Sequence, residues 1–227
     1  MAETRKVSNP RARAARTKRT RTRRALLAAA EEVFTSKGWV ATRIEDVADH
    51  AGVSVPTAYQ HFRSKHALVA YVYAPRVEQQ HDRARRRMGA GGPVRAALEA
   101  HVRDLLAMAG ANPPLTTALV SAVEEYTIRA GPVRPGDDAD PRTIVPLPEV
   151  LVELIDRGQQ AGEFRPYPPA AEFGPLVVNM VLLRQITRPD EAQDATAEIV
   201  LTTAFGVLKP GVLTASGFAG RPFATPR

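Results

Sequence analysis

Apolar side chains along the chain recur at three- and four-residue intervals, the spacing of one helix face. Leu27, Ala30, Val33 and Phe34 mark a first helix from about Thr20 to Lys37, which Gly38 should stop. Ile44, Val47, Ala48 and Ala51 form the apolar face of a second, with Thr42 in the N-cap place and Glu45 three residues on, where a capping-box partner belongs. Gly52 can then turn the chain without steric cost. Ser54 caps a short third helix that carries Pro56 in its first turn and runs to Phe62, and Ser64 caps a fourth. That fourth helix extends to about Met88, with Leu68, Tyr71 and Val72 toward a core, Pro75 kinking it, and its second half, RVEQQHDRARRR, a solvated face. GAGG at 89–92 breaks it.

Further helical stretches are expected at about 93–109, 115–129, 148–161, 169–187 and 191–208. Residues 131–147, proline-rich with an acidic DDAD, read as a long mobile loop. Gly174-Pro175 either kinks its helix or marks the helix's true start. No stretch alternates as a strand does, so the fold class is all-α. The organisation expected is a disordered basic arm at 1–19, a three-helix helix-turn-helix domain at 20–66, a helical bundle at 67–208 and a flexible Gly/Pro-rich tail at 209–227.

Charge sharpens this division. Residues 1–70 hold 14 Lys/Arg against 6 Asp/Glu, whereas residues 71–227 hold 17 against 18, which implies a polyanionic partner for the N-terminal third only. The chain contains no cysteine, which excludes disulfides, thiolate nucleophiles and Cys-based zinc sites. No apolar run approaches a membrane span and ALLAAA is too short for a signal-peptide core, so a cytoplasmic protein without a membrane partner is expected. GAGG lacks the Gly-Lys-Ser/Thr of a phosphate loop, and Glu124 and Glu125 lack acid/base partners. No enzyme, metal or cofactor is expected.

The run AGVSVPTAYQHFRSK resembles the DNA-binding signature of the tetracycline-repressor (TetR) family, and the likeness extends upstream through LLAAAEEVFTSKGWVATRIEDVA, about fifty contiguous residues. The resemblance implies a recognition helix from Ser54 to Phe62 with Ala58 and Phe62 facing the core and Val55, Pro56, Tyr59 and Gln60 facing outward, Thr57 at the rim. It also implies an aromatic core residue at Trp39 and phosphate contacts from Tyr59, His61 and Lys65. Gln60 is the best polar base reader, because its amide can pair with adenine through two hydrogen bonds, and Val55 and Pro56 can pack on thymine methyls. Thr42 and Arg43, at a helix N-terminus, should hold phosphates. Glu45 reads as the capping carboxylate ahead of a cytosine-amine acceptor, and Pro56 departs from the commoner small residue.

The resemblance further implies a ligand-responsive regulator, most simply a repressor released from a palindromic DNA operator by a small apolar effector. It also implies a homodimer through 169–208, where the helix around Leu176–Ile186 is apolar nearly all round, and a charge at Val178 or Leu182 should break the dimer. Leu98, Leu105, Met108, Val123, Tyr126, Leu176 and Met180 are candidate effector walls, with His101, Asn179 and Arg184 as polar groups that could orient the ligand. His101 sits in the stripe Val94–Leu98–His101–Leu105–Met108 and reads first as a hydrogen-bonded core residue, with a ligand contact as the second reading. The alternatives are a constitutive DNA-binding regulator, or a small helical enzyme or lipid-binding protein that carries a helix-turn-helix.

Overall fold

The computed structural model describes residues 10–134 and 136–210, which form ten helices and, among the described residues, no strand. In order they are α1 (Pro10–Ala41), α2 (Ile44–His50), α3 (Val55–His61), α4 (Lys65–Gly89), α5 (Val94–Ala111), α6 (Pro113–Ala130), α7 (Pro141–Ile144), α8 (Glu149–Gln160), α9 (Ala170–Thr187) and α10 (Gln193–Leu208). No described helix is long and apolar enough to cross a membrane.

Helices α1–α3 form a small head around Leu26, Val33, Phe34, Val47, Ala58 and Phe62. Gly38, at φ 70°, breaks the helical geometry near the end of α1, and the chain turns there without a Cβ penalty. Trp39 follows, buried as expected and stacked on Phe34. The other end of α1 departs from expectation. The helix begins at Pro10, so residues 10–19, expected to be disordered, are helical, while residues 1–9 lie outside the described residues. Arg and Ala are good helix formers and Pro suits a first turn, so this stretch propagates from the packed part of α1, with the side chains from Arg13 to Arg19 exposed. The expected tail lies outside the described residues from 211 onward.

Helix α4 leaves the head and enters the bundle. It continues through Pro75, which lies on its exposed side. Its second half is not merely a solvated face: Val77, Gln80, His81 and Ala84, at i, i+3, i+4 and i+7, are buried. Helix α5 is the bundle's central element and packs against α4, α8, α9 and α10. Gly174 lets α8 and α9 approach, because a Cβ there would meet Val152 at 2.7 Å, and α9 runs unbroken past it. The segment expected to be a mobile loop is instead folded onto α4 and α6. Its Asp140 is buried and accepts from both the backbone and the side chain of Arg142, whose guanidinium also reaches the Gly131 carbonyl.

Helix α9 divides its apolar residues between two faces. Phe173, Val177, Val178, Val181 and Leu182 are buried within this chain, so a charge at Val178 or Leu182 would damage the monomer core rather than a dimer face. Leu176 and Leu183 are more than half exposed, with Ile199 of α10 nearly so.

Candidate nucleic-acid interface and buried polar cluster

The head is a helix-turn-helix. Gly52, at φ 65°, ends α2: its N–H donates to Asp49, and the Val53 N–H donates to Ala48. The N-terminus of α2 is set one residue later than expected. The Thr42 hydroxyl is buried and donates to the Gly38 carbonyl at 2.6 Å, so Arg43 becomes the N-cap and its N–H donates to Asp46 Oδ2 at 2.9 Å. Thr42 thus offers DNA no hydroxyl, whereas Arg43 is exposed. Glu45, displaced from the capping box, accepts from the Tyr59 hydroxyl at 3.2 Å and ties α2 to α3. The Lys37–Asp46 bridge and the Arg43 N–H hold the Asp46 carboxyl below the ordinary range.

Helix α3 lies between Ser54 and Phe62, as expected, with Ala58 and Phe62 in the core. The Ser54 hydroxyl pairs with Thr57 Oγ1 at 2.7 Å rather than with a backbone N–H. Pro56, Tyr59 and Gln60 are exposed, while Val55, Thr57 and His61 are half-buried. Burial, then Arg19 and Arg23, push the His61 imidazole below its usual range. Lys65 is less free than the motif suggests. Its ammonium sits 4.0 Å from the Trp39 ring centroid and donates to the Trp39 carbonyl at 2.8 Å, and burial lowers its pKa.

Two contacts missed in the sequence hold the head in place. The Arg23 guanidinium lies 4.5 Å from the Phe62 ring centre and 4.4 Å from that of Tyr71, and Nη1 donates to the His61 carbonyl at the end of α3. On the other side Glu125 of α6 accepts from Trp39 Nε1 at 2.6 Å and pairs with His66 Nε2 at 3.3 Å. These partners are distant in sequence, and no local pattern announces them.

The expected effector residues do not converge. Leu98, His101 and Leu105 are fully buried on α5, Met108 and Met180 half so. Val123 is half-buried, and Tyr126 packs edge-on against His66 below the head while donating to Asp137 at 3.2 Å. Leu176 and Asn179 face outward, because the inner stripe of α9 falls on the other side. Arg184 is held by Glu191 at 2.6 and 2.7 Å, and Glu191 also accepts from Thr196.

His101 instead gathers partners from α4. Gln80 Nε2 reaches the His101 carbonyl at 3.5 Å, leaving Gln80 Oε1, His81 Nε2 and both His101 ring nitrogens buried without a hydrogen bond. Burial, reinforced by His81, depresses the His101 pKa to about 4, so the ring is neutral at physiological pH. Burial likewise lowers that of His81. The signal for Gln80 and His81 was present in the Val77–Gln80–His81–Ala84 spacing but masked by the surrounding charges.

An exposed short helix, presented by a Gly-turned partner and flanked by cations, is the geometry that enters a major groove, and it defines a helix-turn-helix DNA-binding regulator. Residues 26–72 match the model of the bacterial regulatory proteins of the tetR family. Residues 26–72 thus form a DNA-binding domain of the TetR type.

The HTH-type transcriptional activator FasR of Mycolicibacterium smegmatis is 47% identical over 53 residues, 23% of this chain and 24% of that protein, so the chain matches only about a quarter of that curated relative. Among solved structures, the repressor FadR of Thermus thermophilus in complex with lauroyl-CoA superposes with a TM-score of 0.64 at 19% identity, over 90% of this chain and 99% of that one. FadR of Bacillus subtilis in complex with stearoyl-CoA gives 0.59 at 16%, over 79% and 96%. Identities this low establish a shared fold.

Proposed function

We propose that this protein is a homodimeric repressor that holds a two-fold operator through α3 and releases it when an elongated, mostly apolar molecule with a polar head enters the bundle. The observation that carries the ligand-gated part is the unpartnered cluster of Gln80, His81 and His101. Buried donors and acceptors without partners are costly, and a ligand that supplies a carbonyl or hydroxyl to them relieves that cost. Gln80 and His81 lie on α4, the helix that follows the head, and His101 lies on α5 packed against it. The acyl-CoA ligands of the two FadR structures, which share this fold, support an acyl chain as the apolar part.

In this reading Gln60 pairs with an adenine, Pro56 and Val55 pack on thymine methyls, and Arg43, Tyr59 and His61 meet the backbone. The head ends near Ser64, and the bundle of effector and dimer contacts follows from Lys65 to Leu208. Leu176, Leu183 and Ile199, apolar and exposed, supply the dimer face. Release requires that the ligand bind the non-DNA-binding conformation more tightly.

The test is a fluorescence-anisotropy titration of a duplex selected from a random pool, with and without lauroyl-CoA. Tight two-fold binding, weakened by lauroyl-CoA while the protein's melting temperature rises, is the expected result. Stabilisation without any shift in duplex affinity, across a series of acyl chain lengths, would overturn the ligand-gated reading in favour of a constitutive regulator. A promoter reporter that rises on deletion of the gene supports repression, and one that falls supports activation.

A further inference from the structure

Residues 10–24 of α1 carry eight Lys/Arg and no Asp/Glu, and every side chain from Arg13 to Arg21 is exposed. At 1.5 Å per residue the turns ahead of Arg23 extend about 18 Å. Nothing from Arg13 to Arg21 is buried, and Leu26 is the first fully buried side chain among the described residues of the helix. Among the described residues none of Arg13, Arg16, Lys18, Arg19, Arg21 and Arg24 forms an ion pair. The acids of α1, Glu31 and Glu32, are already paired with Arg76 and His50. Like charges three and four residues apart repel, so these six cations gain from a polyanion the counter-charge that no described residue supplies.

Its position says which polyanion. Ala15, Lys18, Arg19 and Thr22 form one wall of an open cleft, and Thr57, Gln60 and His61 of α3 form the other. The cations therefore continue the recognition surface rather than standing apart from it. We propose that the N-terminal extension of α1 is a second DNA-contacting element, a rigid basic helix that grips backbone phosphates of the duplex just beyond the stretch read by α3. This rests on the DNA-binding reading above and adds to it a longer footprint and a steeper salt dependence. Phosphate contacts of this kind position the protein without reading sequence.

The experiment compares two duplexes bearing the same selected site, one minimal and one carrying an extra helical turn on each side. The variant Arg13→Gln/Arg16→Gln removes two exposed cations that lie outside the cleft, and Gln keeps comparable helix propensity. On the extended duplex it should bind at least roughly tenfold more weakly at low salt, with a log–log salt slope shallower by about four, two contacts from each of two protomers. On the minimal duplex it should match wild type. Arg13→Lys/Arg16→Lys should restore the salt slope, and unchanged melting curves check the fold. Equal losses on both duplexes, no loss on the extended one, or a lysine variant as weak as the glutamine one would each overturn the proposal. Failure of the wild type to bind the minimal duplex would instead overturn the DNA-binding reading itself.

Discussion

The head and the bundle use their polar side chains in opposite ways. In α1–α3 the polar groups are displayed: Tyr59 is held by Glu45, Asp46 by Lys37, and Gln60 stands exposed on α3. In the bundle the telling polar groups are hidden, with Gln80, His81 and His101 buried and short of partners. A surface that reads DNA needs apolar support beneath and donors above, whereas a site that senses a small molecule needs unmet donors inside. The polar inventory of each half thus matches the division into reader and sensor proposed above.

Damage to the support beneath the reader should have the largest effect. Phe62→Ala removes a fully buried ring from between Ala58 and the Arg23 guanidinium, and should cost about 3–5 kcal/mol in urea-unfolding experiments, with DNA affinity falling in parallel. Next comes acid sensitivity, which belongs to the bundle. The pKa of His101 is depressed in the folded state to about 4 from an ordinary 6.5, so between these values the unfolded chain binds the extra proton. Stability is therefore full above about pH 6.5 and declines as pH falls toward 4, by about 3 kcal/mol from this residue. His101→Leu should flatten that decline in thermal melts at the two ends of the window. An equally steep decline in the variant would assign the acid response to other groups, His81 and His66 among them.

The reader's specificity should respond more modestly. Gln60→Ala should cost roughly 1–3 kcal/mol on the selected duplex and almost nothing on random duplex, because base-edge pairing carries discrimination and not general affinity. Equal losses on both would remove Gln60 from the reading set. The smallest effect concerns the join between the halves. Glu125→Gln weakens the links to Trp39 and His66, and because this carboxylate is largely exposed, the stability change should stay below about 1 kcal/mol. If the join transmits ligand binding, lauroyl-CoA should release DNA less completely from this variant, at unchanged affinity without ligand.

The same contrast explains what the sequence could tell. The head was legible because capping, turn and core residues sit within a few positions of one another: Gly38, Gly52, Ser64, Ala58 and Phe62 each do what local spacing implied. Where it misled, the cause was a competing partner close by, as with Thr42, whose hydroxyl turns back to Gly38 and hands the cap to Arg43. The bundle was legible only as helices. Periodicity gives a helix an apolar side but not the helix that covers it, so Leu176 and Asn179 were assigned to an interior they do not line, while Gln80 and His81 were lost among arginines. Arg23 and Glu125 act across 38 and 86 residues of chain, beyond any local reading.

Only Phe62, Arg63 and Ser64 separate α3 from α4, and Phe62 is clamped by Arg23 against Tyr71 of α4 itself. The reader and the long helix are therefore packed as one unit, and in the ligand-gated reading proposed above α4 is the lever whose end carries α3. From Lys65 to His81 that lever measures about 24 Å. A tilt of about 5° about its far end displaces α3 by about 2 Å, which is the difference between a hydrogen bond made to a base edge and one lost.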